Sequence, residues 1–369
     1  MVSSVLIAGD TGPAHGPDEG YPVEHFTKLI MPTLREADFR LVNCMRTYSS
    51  KAISEAEAPQ VAQPVHMADL YSHAGFDGVT MANNHAYDSG PEALADTVDL
   101  FRARGIQVTG AGETLDEARK PIILEKDGVR VAYLGCTSVG KEGSEATDRK
   151  PGVINIRVHT TYDHRGPHAP VGIRTEPDAE DLGRVLEDVR KARASADSVV
   201  VAFHSGVIRL PRVIADYQVT VAHALIDAGA DLVVCHAPHI PKGVEVYKGK
   251  AIFYSIGVFA MTKPFAAPGW DEPAWAHGAI RNHIDLDPEY PLMPYGAASR
   301  LCLLVRGEFD KTGITRVSFL PMCIDKSYRP EALKAGYRRF DELLDYVEWA
   351  SADLLHRFEI QGNEVVVSA

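Results

Sequence analysis

Short unbroken apolar runs alternate with amphipathic stretches through the first two-thirds of the chain. Ser4-Val-Leu-Ile-Ala8 is apolar from Val5 and stops at Gly9-Asp10, the pattern of a strand buried on both faces. Phe39-Arg-Leu-Val-Asn43 and Gly78-Val-Thr-Met-Ala82 read as the second and third strands. Between them, Tyr21 to Glu36 and Pro64 to Ala74 read as helices, the second with its proline in the first turn, where proline is tolerated. Gly90 to Gly105 is a further helix, with Leu94, Val98 and Phe101 spaced to share one face. Val108-Thr-Gly is a short strand, and Gly112 to Arg119 a turn with a short helix.

The pattern then shifts to hairpins. Pro121 to Gly135 reads as two strands around Asp127-Gly128, and Gly243 to Ser255 as two around Lys248-Gly249. An amphipathic helix is expected over Asp178 to Ala194 and another helix over Val219 to Ala228. Ser198-Val-Val-Val-Ala-Phe203 is a strand ending at His204, and Asp231-Leu-Val-Val-Cys235 one ending at His236. Leu301 to Val305 and Gly313 to Pro321 are the last strands, and a C-terminal helix is expected over 337–357. Two long insertions, about 141–177 and 262–294, read as surface loops, the second carrying Trp270 and Trp275. Loops this long inside a domain are usually functional or disordered, and here they are expected to act as lids. Without repeats, low-complexity tracts or linkers, the reading is one domain over 1–369, with its core at about 4–260 and 300–322.

The formal charge is −12, from 38 basic and 50 acidic residues, which argues against nucleic-acid binding by phosphate neutralisation. No run of about 18 apolar residues is present, and the start is not a signal peptide, so neither a membrane span nor an anchor is expected. Cys44, Cys136, Cys235, Cys302 and Cys323 are odd in number and scattered. They suggest neither a zinc ribbon nor a disulfide framework, and the expected location is the cytoplasm.

Candidate chemistry collects at strand C-terminal ends: Asp10, Asn43, Asn83-Asn84-His85, His204 and the His236-Ala-Pro-His239 turn. That edge is where ligands bind in open α/β sheets. Taken singly, each has a plain use. Asp10 can cap a helix, Asn84 can make a turn, His204 can be a satisfied structural histidine, Asp88 can bond its own turn, and Cys235 is a small buried hydrophobe. Together, imidazole, carboxylate and amide oxygen form a ligand set suited to manganese, zinc or iron, with calcium also admitted.

These segments resemble the CapA family of capsule and poly-γ-glutamate synthesis proteins, within the calcineurin-like metallophosphoesterases. The resemblance is carried by Ala8-Gly-Asp10, Asn43-Cys-Met45, Ala82-Asn-Asn-His-Ala-Tyr-Asp88-Ser-Gly90, Thr109-Gly-Ala-Gly112, Val200-Val-Ala-Phe-His204-Ser-Gly206, Ala228 to His239 and Tyr254-Ser-Ile-Gly-Val-Phe259. It implies an α/β fold, a four-layer α/β/β/α sandwich of calcineurin-like type with a long lid loop. It also implies that Asp10, Asn43, Asn84, His204, His236 and His239 are metal ligands or their neighbours, for one or two divalent ions per chain. His85, oriented by Asp88, resembles the histidine that protonates a leaving group, and His204 is the third candidate catalytic residue.

Several positions depart from the family pattern. Asn-Leu-Glu has become Asn43-Cys44-Met45, His-His-Pro-His has become His236-Ala237-Pro238-His239, Ser205 stands where Trp is usual, and Val258 replaces an Asn. A thioether is a poor ligand for a hard metal, so a single ion, or one held through water, fits better than a dinuclear centre. Three functions stay open. One is a metal-dependent hydrolase of a small or peptide-like amide or phosphoester substrate. A second is a metal-assisted epimerase or isomerase using His/Asp pairs, as lasso-peptide epimerases resemble this superfamily. A third is a non-catalytic protein that binds a polymer precursor. Arg46, Trp270, Trp275, His277 and His283 are candidate substrate-binding residues, with Asp285 beside His283 as a possible second pair. The expected partner is a small molecule or peptide, and an oligomer is compatible with the sequence.

Overall fold

The computed structural model describes residues 2–13, 21–50, 62–164, 166–168, 170–261 and 297–369. The second expected lid, 262–294, lies outside the described residues, and with it Trp270, Trp275, His277, His283 and Asp285.

Ten strands form the first sheet. Ser3–Gly12, Phe39–Cys44, Gly78–Thr80 and Gln107–Thr109 lie side by side in parallel. On the other side of Ser3–Gly12 the sheet continues antiparallel through Leu301–Asp310, Gly313–Ile324, Glu364–Ser368 and Arg357–Gln361. Val258–Met261 pairs with the far end of Ser3–Gly12, and Pro330–Ala332 pairs with Gly313–Ile324. The second sheet has six strands, with Val129–Thr137, Ser198–His204, Leu232–His236 and Lys250–Phe253 parallel at its centre. Its edges are closed by the two expected hairpins. Asp127-Gly128 and Lys248-Gly249 turn them with φ of 52° and 79°, and 51° and 76°, as two-residue hairpin turns require.

Side chains alternate along each strand and so fill three separate cores. Val5, Ile7 and Leu41 from the first sheet meet Val131, Val200 and Val234 from the second. Leu6, Ala8 and Val42 face the other way, onto Leu34, Leu70, Leu94, Val98 and Phe101 of the neighbouring helices. Val199, Val201 and Val233 pack on Val185, Val189, Val221 and Leu225 of the helices Ala179–Ser195 and Asp216–Asp227. Helix, sheet, sheet and helix are thus stacked in the order the fold reading expects. Among the described residues, no helix is long and apolar enough to cross a membrane.

Four local expectations are corrected. The helices expected over 21–36 and 64–74 are each broken: a 3-10 turn at Val23–Thr27 then Met31–Leu34, and one at Val65–Ala68 then Asp69–His73. Pro22, Pro32 and Pro64 fall at these starts, each without the N–H a continuous helix needs. The loop expected over 141–177 contains a hairpin, Val158–Asp163 with Gly172–Pro177. Its residues are largely exposed, so no apolar alternation announces it. The C-terminal helix is shorter, Arg338–Ser351, and the chain then forms a hairpin that extends the first sheet to Ser368, beyond the expected core.

Candidate active site

The parallel strands of both sheets deliver their C-terminal residues to one rim. In the first sheet Asp10 lies beside Asn43, after a register shift between Ala8 and Asp10. Gly9 makes that bulge possible: a Cβ there would sit 2.2 Å from the Gly257 carbonyl oxygen, which accepts the Asp10 N–H at 3.1 Å. In the second sheet His204 lies directly beside His236. The following turn brings back His239, with Ala237 at φ 93° and His239 at φ 60°. Two non-glycine residues in left-handed backbone within three positions store strain of a kind that clusters at functional sites.

A directed hydrogen-bond chain links these groups. Asn43 Nδ2 donates to Asp10 Oδ1 at 2.7 Å and lies 3.2 Å from His204 Nδ1. His204 Nε2–H donates to Asn84 Oδ1 at 3.0 Å. Asn84 Nδ2 in turn donates to His85 Nε2 at 3.2 Å, and His85 Nδ1–H donates to Asp88 Oδ2 at 2.7 Å. An amide oxygen can only accept and an amide nitrogen only donate. The chain therefore fixes both imidazoles as neutral tautomers, His204 protonated on Nε2 and His85 on Nδ1. A second His–Asp pair closes the far end, with His239 Nδ1 2.8 Å from Asp10 Oδ2.

Electrostatics agree with this assignment. Burial pushes the His85 imidazole below its ordinary range against the pull of Asp88, with the charges of Arg46 and His239 adding to the depression. Burial lowers His204 to about 3, opposed by Asp10, and lowers His236. For Asp10, burial alone raises the carboxyl, but the hydrogen bond and charge of His239, with His204 and His236, hold it well below the usual carboxylate range. Asp10 is thus ionised, and the imidazoles of His85, His204 and His236 favour their neutral forms.

All eight polar rim residues expected from the sequence meet here: Asp10, Asn43, Asn84, His85, Asp88, His204, His236 and His239. Arg46 is buried beside them and donates from Nε to the Gly12 carbonyl at 3.3 Å. Asn83, named in the sequence only within the Asn-Asn-His run, joins them, and Lys141 was not anticipated. Asn83 donates to the Asn43 Oδ1 and Cys44 carbonyls at 3.3 and 2.7 Å, and accepts the His85 N–H at 2.9 Å. Lys141 reaches Asp88 Oδ1 at 2.5 Å from the first expected lid. Lys242, three residues after His239, is fully buried and just as unsignalled, with Nζ donating to the Val207 and Val213 carbonyls at 2.6 Å each rather than to a rim group. Only the adjacent Asn-Asn-His run offered a signal for Asn83. A lysine in a glycine-rich loop and a lysine after a proline carry none.

A bound ion is implied by the resemblance, and the donor set bears on it. Asp10, His204, His236 and His239 supply one carboxylate and three imidazoles, chemistry that fits one borderline divalent ion. Neither ring nitrogen of the buried His236 makes a well-formed hydrogen bond, although the Ala8 backbone lies close enough to favour its charged form. Asn43 and Asn84 are engaged in the relay just described. Met45 points its sulfur at the Asn43 amide, 3.1 Å away. Among the described residues, no three of His, Cys, Asp and Glu are gathered in an arrangement that holds a metal.

The sequence model of the bacterial capsule synthesis protein family PGA_cap matches residues 4–263, and the chain belongs to that family. It is 33% identical over 250 residues to the PGA biosynthesis protein CapA of Bacillus subtilis (strain 168), covering 66% of this chain and 57% of that one. It is 32% identical over 201 residues to the capsule biosynthesis protein CapA of Bacillus anthracis, covering 53% and 42%. The chain thus spans about half the length of these curated relatives. Among solved structures it is similar to the calcineurin-like phosphoesterase YfkN of Bacillus subtilis, with a TM-score of 0.39 and 13% identity over 95% of this chain and 98% of that one. A likeness at that level says nothing about chemistry. The layered architecture rests on the strand pairing above, and the family on the sequence match.

Proposed function

We propose that this protein is an acid–base enzyme that epimerises a carbon beside a carbonyl in a peptide-like substrate. The observation that carries this reading is the presence of two His–Asp pairs, His85–Asp88 and His239–Asp10, at the two ends of one buried hydrogen-bonded cluster. Epimerisation needs a base on one face of the carbon and an acid on the other. Neutral His85 keeps its proton on Nδ1 against Asp88, so its Nε2 lone pair is the basic site once Asn84 yields to substrate. Removal of the Cα proton leaves its electron pair delocalised into the carbonyl, and His85 becomes an imidazolium stabilised by Asp88. His239 enters as the imidazolium against ionised Asp10, gives one ring proton to the opposite face and is left neutral. One proton is taken and one given, no heavy-atom bond breaks, and the enzyme is restored by exchange with water. Each positioned acid or base of this kind contributes about 10²- to 10⁴-fold. The Arg46 guanidinium, whose charge is felt at His85, would stabilise the developing negative oxygen.

Asp10, His204, His236 and His239 carry the donor chemistry for a divalent ion, which when bound would supply Lewis-acid polarisation of the carbonyl, but among the described residues they are not gathered to hold one, and no step of the reaction runs through it. The buried ring of His236, with no well-formed hydrogen bond at either nitrogen, favours a second reading, metal-assisted hydrolysis of an amide or phosphoester. The relatives are named for PGA and capsule biosynthesis, which supports a carboxylate-bearing, peptide-like substrate. A cytoplasmic location fits this reading.

The test is a mass-spectrometric one. Synthetic peptides with an acidic N-terminal half and each of the amino acids at the C-terminus are incubated with the chain in D₂O. A gain of one mass unit at one carbon without cleavage supports epimerisation. Cleavage products instead of mass gain would refute it in favour of hydrolysis, and neither outcome across the set would refute both.

A further inference from the structure

Away from the two dyads, a cleft of about 170 Å³ opens where residues 145–146 and 153–155 of the first expected lid face the helix Ala179–Ser195. Leu115, Ala146, Val153, Ile154 and Val185 give it an apolar lining. An apolar cavity of about 150 Å³ takes up a ring of six carbon atoms, so the space suits a small molecule. Among the described residues no histidine, cysteine, serine or threonine lines it. It offers a binding site and not a second reaction centre.

The charges along the lining cancel in pairs except for one. Arg119 engages Asp188, with Nη2 2.7 Å from Oδ1. Arg184 pairs with Asp181 and with Glu180. Glu145 is the remaining carboxylate, and it makes no ion pair among the described residues. Its side-chain partner is neutral, the Asn155 amide, whose Nδ2 donates to Glu145 Oε1 at 3.2 Å. Asn155 Oδ1 is buried and has no hydrogen-bond partner among the described residues. A carboxylate and an amide oxygen can only accept, so this corner of the cleft lacks a donor and a positive charge.

The wall that carries both groups is fixed by the backbone. Ala146 N–H donates to the Val153 carbonyl at 3.0 Å, and Val153 N–H to the Ser144 carbonyl at 2.8 Å. Thr137 N–H donates to the Ile154 carbonyl at 2.9 Å, and the Thr137 carbonyl accepts the Ile156 N–H at 2.8 Å, which holds Asn155 from both sides. A wall ordered in advance removes part of the cost of association.

We infer that this cleft binds a small aliphatic primary amine as its ammonium ion, with the head against the Glu145–Asn155 pair and the carbon tail on Val153, Ile154 and Val185. A carboxylate head would instead meet Glu145 with like charge. The inference stands apart from the reaction proposed above, since no residue of either dyad lines the cleft. A simple amine and the α-ammonium of an apolar amino acid carry the same head, and the test separates the two.

Isothermal titration calorimetry of the full chain is that test, with isopentylamine as the probe and 3-methylbutan-1-ol as its neutral match. Isopentylamine is expected to bind saturably at neutral pH, and the alcohol about ten-fold more weakly for want of the charged hydrogen bond. Glu145→Gln keeps the shape and removes the charge, and should weaken isopentylamine binding by a similar factor of about ten. Methylamine, which lacks the tail, should also bind at least about ten-fold more weakly. Glu142→Gln, at an exposed carboxylate of the same segment outside the cleft, should leave binding unchanged. Equal binding of L-leucine assigns the site to an amino acid, and binding of isopentylamine without it assigns the site to a simple amine. No binding of isopentylamine, equal affinity for the alcohol, or equal losses in Glu145→Gln and Glu142→Gln would overturn the assignment.

Discussion

Replacing Lys242 by methionine should change how stability depends on pH. The side chain is fully buried, and its ammonium is held by two backbone carbonyls rather than by a carboxylate. Burial pushes its pKa from 10.5 down to about 8, with only Cys235 opposing. The folded chain therefore holds this proton less tightly than the unfolded chain. Below pH 8 both states are charged and the full cost of burying the ammonium is present. Between pH 8 and 10.5 the unfolded state binds more protons, so stability rises with pH. At ~1.4 kcal/mol per pH unit, that gap amounts to about 3 kcal/mol. Lys242→Met removes this titration and leaves the Val207 and Val213 carbonyls without their donor, a cost of about 1–3 kcal/mol each that does not vary with pH. Urea unfolding at pH 7, 8, 9 and 10 should show the difference between wild type and variant flat up to pH 8, then growing in favour of wild type by about 1.4 kcal/mol per pH unit. A difference that stays constant from pH 7 to 10 would refute the reasoning.

Other outcomes follow from the rim. Ala237→Gly relieves a φ of 93°; about 1–3 kcal/mol of strain, less the entropy glycine adds to the unfolded chain, leaves a net stabilisation of about 1 kcal/mol by chemical denaturation. Gly9→Ala puts a Cβ 2.2 Å from the Gly257 oxygen and should destabilise by about 3 kcal/mol, visible as a lowered midpoint or as insoluble protein. Met45→Glu buries a carboxylate at a fully buried position. It should lower apparent stability, and added Mn²⁺ should recover more of that loss than in wild type, read as a larger metal-induced rise in Tm. In the deuterium assay His85→Gln should slow exchange about 10²- to 10⁴-fold, and Asp88→Asn less, since it leaves the imidazole in place.

Much of this site was legible because parallel strands covered on both faces read as unbroken apolar runs, so the first polar residue after each run marks the rim. Asp10, Asn43, His204 and His236 were found that way. The direction of the hydrogen bonds was not legible. That Asn43 donates to Asp10 within the first sheet, and that Asn84 links two imidazoles where the sheets meet, depends on partners 33 to 161 residues apart in sequence. Lys141 was hidden in a loop whose hairpin is too exposed to show an apolar alternation. Met45 was legible as a departure from the family pattern, but not as a neighbour of the Asn43 amide. The short helices were overextended because proline is tolerated at a helix start but also ends the turn before it. The C-terminal hairpin was missed because Arg357–Gln361 has four exposed residues of five and so shows little apolar alternation.

The most direct test of the central claim is a solvent-exchange measurement on the acidic peptide set, comparing wild type, His85→Gln and His239→Gln by mass spectrometry in D₂O. Two dyads serving opposite faces predict one deuterium at a single carbon, with both configurations formed by wild type and neither variant epimerising. Cleavage of the peptide, or full epimerisation by His239→Gln, would contradict the account.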